Sequence, residues 1–193
     1  MIMKLKILGI AQDGGVPQIN CQCKNCKTSR TEGVPLFATS LLVERAKGKS
    51  TLIDVSPDIK NQLTPTEFNG IDSIVLTHAH VGHIGGLLQF GFEIANKKGV
   101  NLFASPEMHS FLQDNEPWKQ LFENGNIVPC KFRFEETFAL EELRVTPLKV
   151  PHRDEIADTS GFILEGDFKK VLFIPDIKNW LVWEKDLKEE VSK

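Results

Sequence analysis

Short apolar runs, each closed by glycine, proline or polar residues, dominate the hydrophobic pattern of this chain. Runs of about four to eight residues, rich in β-branched and aromatic side chains, are typical of buried strands. The predicted strands are Lys4–Ile10, Thr39–Arg45, Ser50–Val55, Ile71–Leu76, Val100–Ala104, Ile127–Phe134, Leu143–Val150, Thr159–Leu164 and Val171–Ile174. Ala46–Lys49 and Gly166-Asp167 have the composition of hairpin turns.

Helical spacing of apolar residues appears mainly between the strands of the first part of the chain. The predicted helices are Pro57–Leu63, Ile84–Ala95, Glu107–Leu112, Trp118–Phe122 and Trp180–Val191. From Ile127 onward strands dominate, and no internal repeat is visible. We therefore predict a single domain, residues 1–193, with mixed α and β layers.

Composition and charge exclude some classes of protein. With 41% hydrophobic and 25% charged residues, the chain is typical of globular proteins. A net charge of -3 and the lack of a basic run argue against a general nucleic-acid binder. No apolar stretch approaches the roughly 20 residues that span a bilayer. We expect no membrane association, and a small molecule as the substrate.

The segment Gln12-Asp13-Gly14-Gly15 follows the first apolar run at once, without the small-residue cleavage site of a secretory signal. We therefore expect the protein in the cytoplasm. In that compartment its four cysteines are expected to be reduced or metal-bound rather than paired in disulfides.

Three histidines follow the predicted strand Ile71–Leu76 directly, in the segment Thr77-His78-Ala79-His80-Val81-Gly82-His83. Alternate side chains of extended backbone point the same way, so His78 and His80 can bind one ion together. His83 lies beyond the turn and would serve a neighbouring ion. The segment therefore predicts a metal site at the carboxyl end of a strand.

Two further candidate ligands also end predicted strands, since His152 follows Val150-Pro151 and Asp176 follows Ile174-Pro175. Histidine nitrogen and carboxylate oxygen suit zinc and several other divalent metals, and three protein ligands with one open position are typical of catalytic zinc. His78, His80 and His152 could supply that set. The alternative is a collection of unrelated histidines, but four of the five in the chain lie at strand ends, which favours a metal.

Cys21, Cys23 and Cys26 form a C-x-C-x-x-C pattern in the loop after the first strand. Three thiolates this close suit a structural zinc, which prefers a closed tetrahedral shell. A disulfide would strain so short a loop, and free thiols are the remaining alternative. The fourth ligand stays open between His109, Cys130 and water, although Cys130 has the pattern of a buried small hydrophobe and His109 that of an exposed helix residue.

The histidine segment, followed by Gly85-Gly86, resembles the metal motif of the metallo-β-lactamase superfamily. Asp54, His152 and Asp176, in this order and each after an apolar run, are similar to its other recurrent positions. The resemblance implies an α/β (α+β) fold of the αββα sandwich type.

The beginning of the chain narrows the resemblance further. Leu8-Gly9-Ile10 with the segment from Gly14 to Cys26 most resembles coenzyme PQQ synthesis protein B and its relatives. The cyclic phosphodiesterase of the phosphonate pathway has a similar cysteine cluster. In that phosphodiesterase the fourth ligand of the cluster is a histidine from a region that this chain lacks.

The resemblance also implies residue roles. His78, His80 and His152 would bind a first metal, expected to be zinc, with manganese or iron as alternatives. His83 and Asp176 would contribute to a second metal, with Asp176 as the bridge. Asp54 would hold a ligand histidine in one tautomer, a role that carboxylates often have beside metals.

Two departures from the family concern the second metal. Gly82 stands where the family has its usual carboxylate, and no histidine follows His152, although family members continue to another strand and a late histidine ligand. We therefore expect one well-occupied site at most, or an empty pocket, in a sandwich that lacks its closing C-terminal strand and helix. The open sheet edge would favour pairing with a second copy.

Three functions are compatible with these residues. The first is a metal-dependent hydrolase that uses a metal-activated water on a phosphodiester or another ester-like small molecule, with Asp176 and His152 as catalytic residues. The second is an oxidative enzyme of quinone cofactor formation, as the resemblance to PQQ synthesis protein B implies. The third is a degenerate, non-catalytic metal-binding protein, which the Gly82 substitution favours.

Overall fold

Two β-sheets form the centre of the computed structural model, which describes residues 3–192. The strands of these residues are β1 Lys4–Gly9, β2 Ser40–Glu44, β3 Ser50–Ile53, β4 Ser73–Val75, β5 Val100–Ala104, β6 Ile127–Lys131, β7 Phe138–Leu140, β8 Leu143–Lys149, β9 Ser160–Glu165 and β10 Lys170–Phe173. One sheet has the order β1-β2-β3-β4-β5-β6, and the other has the order β10-β9-β8-β7.

The helices are short, as expected for segments that connect strands. The α-helices of the described residues are α1 Lys24–Glu32, α2 Ile59–Leu63, α3 Val81–Ile84, α4 Pro106–Asp114, α5 Lys119–Glu123 and α6 Leu187–Ser192. Three 3-10 segments accompany them, at Ala46–Gly48, Gly85–Phe90 and Trp180–Val182. None of these helices has the length and apolar character needed to cross a bilayer.

Strand direction decides where functional residues can meet. β3, β4, β5 and β6 are parallel neighbours, with Ile53 opposite Val75, whereas β1, β2 and β3 pair antiparallel. The carboxyl ends of parallel strands lie at the same edge of a sheet. The loop that begins at Asp54 after β3 and the loop that begins at Leu76 after β4 are therefore adjacent.

Alternation along the strands divides the core into two parts. Leu41 and Val43 of β2 pack into the cluster between the two sheets, against residues such as Phe162. Leu42, from the same strand, faces the other way and packs into the cluster that includes Met108 of α4. The first sheet is thus covered by the second sheet on one face and by helices on the other, and the predicted mixed α/β (α+β) layering is confirmed.

The lengths predicted for the two longest helices, Ile84–Ala95 and Trp180–Val191, were wrong. Instead of one helix over Ile84–Ala95, α3 is followed by a 3-10 segment that ends at Phe90. Gly86 explains the close packing there, because a Cβ on it would lie 2.9 Å from Val55 Cγ1 and would collide with the Ser56 carbonyl oxygen.

In place of the predicted helix over Trp180–Val191, the structure has a 3-10 segment and the separate helix α6. The chain is extended at Trp183, whose Nε1–H donates to the Lys149 carbonyl at 2.9 Å. This contact holds the indole against the end of β8. Helix α6 begins only afterwards, where the backbone amide of Lys188 donates to the Asp186 carboxylate at 2.7 Å.

Candidate metal centre

All five predicted histidine and aspartate ligands lie in loops or at a helix start, at one end of the two sheets. His78 follows β4, His80 is the residue before α3, and His83 lies in α3. His152 follows β8, and Asp176 follows β10. The two sheets thus contribute ligands from opposite sides of one cleft.

Four of these side chains converge on one point. One ligand atom from each of His78, His80, His152 and Asp176 lies within 4.8 Å of the others. His78 Nε2 is 3.0 Å from His80 Nδ1 and 3.3 Å from Asp176 Oδ2. The His152 ring centroid lies 5.2 Å from that of His78 and 5.1 Å from that of His80. Three imidazoles and one carboxylate form a donor set that suits a divalent transition metal.

His152 provides a test of whether a cation fits here. Both of its ring nitrogens are buried and have no hydrogen-bond partner. A buried polar atom without a partner is costly, and in native proteins such atoms commonly face an ion or water. Burial, with a smaller contribution from the neighbouring His78 ring, lowers the pKa of His152, which favours the neutral, metal-binding ring. These observations support a metal cofactor at this position.

The loop after β4 holds the ligand histidines through Asp54 and Thr77. Asp54 is fully buried, with its backbone in the left-handed region at φ 60°. Its Oδ1 accepts from the Thr77 backbone amide at 2.8 Å, and its Oδ2 accepts from the Thr77 hydroxyl at 2.8 Å. The hydroxyl oxygen is in turn 3.0 Å from His78 Nδ1 and accepts from it, which leaves Nε2 as the ligand atom of His78.

His83 is surrounded by three carboxylates. Its Nδ1–H donates to Asp54 Oδ2 at 2.7 Å, while its Nε2 lies 3.0 Å from Asp176 Oδ2 and 3.5 Å from Asp13 Oδ1. Burial opposes a charge on this ring, but the negative charge of Asp54 and hydrogen bonds with Asp13 and Asp176 outweigh it and raise the pKa of His83 to about 11. The environment of His83 therefore strongly favours positive charge.

Asp176 is shared between the two groups of ligands. The same oxygen, Oδ2, faces Nε2 of His78 and Nε2 of His83. The His78 and His83 rings that face this oxygen hold the pKa of Asp176 well below its usual range, so the carboxylate is ionised. One oxygen placed between two imidazoles in this way can bridge two neighbouring cation positions.

The three predicted cysteine ligands also lie together. The sulfur atoms of Cys21, Cys23 and Cys26 are within 4.8 Å of one another, at the start of α1. The backbone amide of Cys26 and the neighbouring thiols lower the pKa of Cys23 to about 7. Among the described residues no histidine or carboxylate joins this group.

Both protein candidates for that fourth ligand lie elsewhere. Cys130 is on β6, at the opposite edge of the first sheet from β1, and its sulfur is not grouped with those of the cluster. His109 was expected to be exposed, and that expectation was wrong, since the side chain is fully buried with its Nε2 3.2 Å from the Cys130 carbonyl oxygen.

Comparison with known proteins identifies the fold family. The family model described as a beta-lactamase superfamily domain matches residues 50–192. The chain belongs to this superfamily. The resemblance drawn from the histidine segment, Asp54, His152 and Asp176 is thereby confirmed, and so is the metallo-β-lactamase fold.

Three relatives place the chain within the superfamily. Coenzyme PQQ synthesis protein B of Ruegeria pomeroyi is 31% identical over 163 residues, which cover 77% of this chain and 54% of that protein. The zinc-bound PqqB structure from Methylobacterium extorquens has a TM-score of 0.78 and 25% identity, over 91% of this chain and 66% of that one. A diphosphatase of the PhnP family has a TM-score of 0.66 and 26% identity, over 84% and 63%.

The match covers only part of each of these relatives. The chain spans about half the length of the Ruegeria pomeroyi protein and about two thirds of the other two. Their similarity therefore establishes the family and the fold, while their activities remain a matter for proposal.

Sequence reasoning missed Asp13, which it considered only as part of the segment that follows the first apolar run. Asp13 lies 70 positions before His83, yet its carboxylate is beside the His83 ring. The available signal was the missing carboxylate at Gly82, which could have prompted a search for a replacement elsewhere. The role of Thr77 as the link between Asp54 and His78 was missed as well.

Arg153 also lies closer to the ligands than a purely solvated charge would. Its side chain is 60% exposed, and its Nη2 is 3.4 Å from both ring nitrogens of His80. Glu155 accompanies it, with Oε1 3.6 Å from His80 Nε2. A cationic and an anionic side chain therefore stand at the mouth of the cleft.

Proposed function

We propose that this chain is a metal-dependent hydrolase acting on a phosphodiester or another ester-like small molecule. The observation that carries the proposal is the convergence of His78, His80, His152 and Asp176 within 4.8 Å. The fold similarity to a diphosphatase of the PhnP family supports hydrolysis as the reaction class. Zinc is the favoured metal, because three imidazoles and an open position are typical of catalytic zinc.

A divalent metal bound by these residues supplies Lewis-acid chemistry, which lowers the pKa of water to about 7 and polarises a carbonyl or phosphoryl oxygen. The chain supplies the orientation of the reacting groups. Thr77 and Asp54 fix the rotation and tautomer of His78 and His83, so their Nε2 atoms point into the cleft. His152 closes the cleft from the side of the second sheet.

Asp176 is the residue placed to orient the attacking water. Its Oδ2 is held between His78 and His83, and the side chain is only 27% exposed. An ionised carboxylate in this position accepts a hydrogen bond from the water and fixes its direction of attack. The depressed basicity of Asp176 makes orientation its main contribution, while the proton passes to solvent or to a better base at the open mouth.

Arg153 favours an anionic substrate. Its guanidinium lies beside His80 at the mouth of the cleft, where it can bind a phosphoryl oxygen through two N–H donors. A neutral ester would gain less from this group. The arrangement therefore favours a small phosphodiester over a neutral ester.

Hydrolysis of bis(p-nitrophenyl) phosphate tests the proposal. Chelator-treated protein should be inactive, and activity should return with zinc or manganese. His80→Ala should lose both the metal of the cleft and turnover, whereas the matched control His109→Gln, a histidine outside the cleft, should keep both. Unchanged turnover in His80→Ala would reject this mechanism.

A second candidate function is an oxidative step like that of PQQ synthesis protein B. The similarity to that protein of Ruegeria pomeroyi favours it, at 31% identity, and a histidine and carboxylate site is also compatible with iron. Oxygen consumption by iron-loaded protein, without phosphodiester hydrolysis, would support this alternative. Metal binding without turnover in either assay would indicate a non-catalytic binding protein.

A further inference from the structure

Asp13 occupies the space that a side chain at position 82 would need. A Cβ built on Gly82 would lie 2.6 Å from the Asp13 Cα and closer still to its Oδ1. Contacts under about 3.0 Å are sterically forbidden, so no side chain fits at position 82 while Asp13 keeps this place. The glycine at position 82 and the carboxylate at Asp13 therefore depend on each other, because Asp13 fits in this place only when position 82 has no side chain.

The loop that carries Asp13 is anchored on both sides. Before it, the Ala11 amide donates to the Phe37 carbonyl at 2.9 Å, and after it, Val16 and Leu36 exchange two backbone hydrogen bonds of 2.8 and 2.7 Å. Within the turn, the Gly15 amide donates to the Gln12 carbonyl at 2.8 Å, with Gly15 at a φ of 60° that favours glycine. The carboxylate is thus presented by a fixed turn.

Asp13 points at the ligand atom of His83. Its Oδ1 lies 3.5 Å from His83 Nε2, on which Asp176 Oδ2 also converges at 3.0 Å. One ligand atom from each of these three residues lies within 4.8 Å of the others. Two carboxylates and one imidazole thereby face a common point next to the first group of ligands.

We propose that Asp13 replaces the carboxylate absent at Gly82, so that Asp13, His83 and Asp176 form a second divalent-cation site that shares Asp176 with the first. The inference rests on the proposed metal-dependent function and specifies its metal content. It revises the expectation of one occupied site, which counted only His83 and Asp176 as second-site ligands. Two carboxylates and one histidine suit a harder cation such as Mn²⁺ at this position.

Mn²⁺ binding followed by electron paramagnetic resonance tests the inference without reference to turnover. Mn²⁺ prefers oxygen and nitrogen ligands, so the thiolates of the cysteine cluster do not compete for it. Wild-type protein should bind two equivalents, with the spin coupling expected of ions about 3.5–4 Å apart. Asp13→Asn should bind about one equivalent and lose the coupling. Glu155→Gln, a carboxylate at the mouth of the same cleft, should keep both.

An exchange of the two positions provides a second test. Gly82→Asp alone should bind one equivalent and unfold at a lower temperature, because its side chain collides with Asp13. The double variant Asp13→Gly with Gly82→Asp should regain the second equivalent and the spin coupling. One equivalent in the wild type, or two in a folded Asp13→Asn, would overturn the inference. Two coupled equivalents without phosphodiester hydrolysis would reject the hydrolase proposal and leave this site standing.

Discussion

Asp54 Oδ2 and His83 Nδ1 lie 2.7 Å apart, and both side chains are buried beneath the cleft. The Nδ1–H of His83 donates to this carboxylate, so the other ring nitrogen, Nε2, is the one that faces Asp13 and Asp176. A residue that touches no substrate can thus control which ring atom is presented.

Asp54→Asn should weaken metal binding roughly 10- to 100-fold, the usual effect of losing a carboxylate that orients a ligand histidine. Asparagine tolerates the left-handed backbone of this position, so the fold should persist. Its Nδ2–H₂ would donate to Nδ1 and force the proton of the neutral His83 ring onto Nε2. Isothermal titration with Mn²⁺ measures the change, and Asp167→Asn in the β9–β10 turn is the control. Equal affinity in Asp54→Asn and wild type would show that the contact is only structural.

His152→Ala should remove the stabilisation that zinc in the cleft provides, without harming the metal-free protein. Both His152 ring nitrogens are buried without partners, so their removal is favourable. This gain offsets much of the packing energy that is lost with the ring. Thermal unfolding should give the same midpoint for wild type and variant in chelator, while added zinc should raise the wild-type midpoint further than that of the variant, which keeps only the cysteine cluster intact. A large loss of stability in chelator would indicate that His152 is a packing residue rather than a ligand.

Cys23→Ser should release one zinc equivalent from the protein as purified, because the three sulfur atoms are close enough to share an ion. Cys130→Ser should not, since Cys130 lies on β6, across the first sheet. A colorimetric chelator assay before and after thiol modification counts the zinc in each variant. Equal zinc content in Cys23→Ser and wild type would rule out the cluster as a structural zinc site.

Arg45→Ala should lower the free energy of unfolding by about 2–3 kcal/mol, somewhat less than for a fully buried pair, because its partners are one-third exposed. Arg45 donates to Asp72 Oδ2 at 2.5 Å and to Glu141 Oε2 at 2.7 Å, and so joins the end of β2 to the β7–β8 turn of the other sheet. Arg133→Ala, in an exposed pair with Glu136, should change the free energy of unfolding by less than about 0.5 kcal/mol. Urea unfolding measures both, and similar effects would contradict the cross-sheet role of Arg45.

The sequence was sufficient to predict the elements whose residues are buried in a regular pattern. Strands such as β3 and β8 could be predicted from their continuous or alternating apolar positions. The metal site could be predicted from the histidine segment because this segment directly follows β4. Helix α1 could not be predicted in this way, because only Cys26 and Ser29 of its residues are buried and no apolar face marks it. Strand β7 has three residues, too few for a periodic signal.

Asp13 could not be predicted for a different reason. Its position beside His83 depends on the pairing of its loop with Leu36 and on the space left by Gly82, and both are properties of the folded chain. The sequence indicates only that a carboxylate is missing. Tertiary packing determines which other carboxylate takes its place.

Anomalous diffraction on either side of the zinc absorption edge, from crystals grown with zinc, shows whether the cleft binds a metal. We expect a zinc-specific peak surrounded by His78 Nε2, His80, His152 and Asp176 Oδ2. The cysteine cluster provides an internal reference for zinc in the same map. A peak among Cys21, Cys23 and Cys26 with none among the histidines would contradict the claim that this cleft is a metal centre.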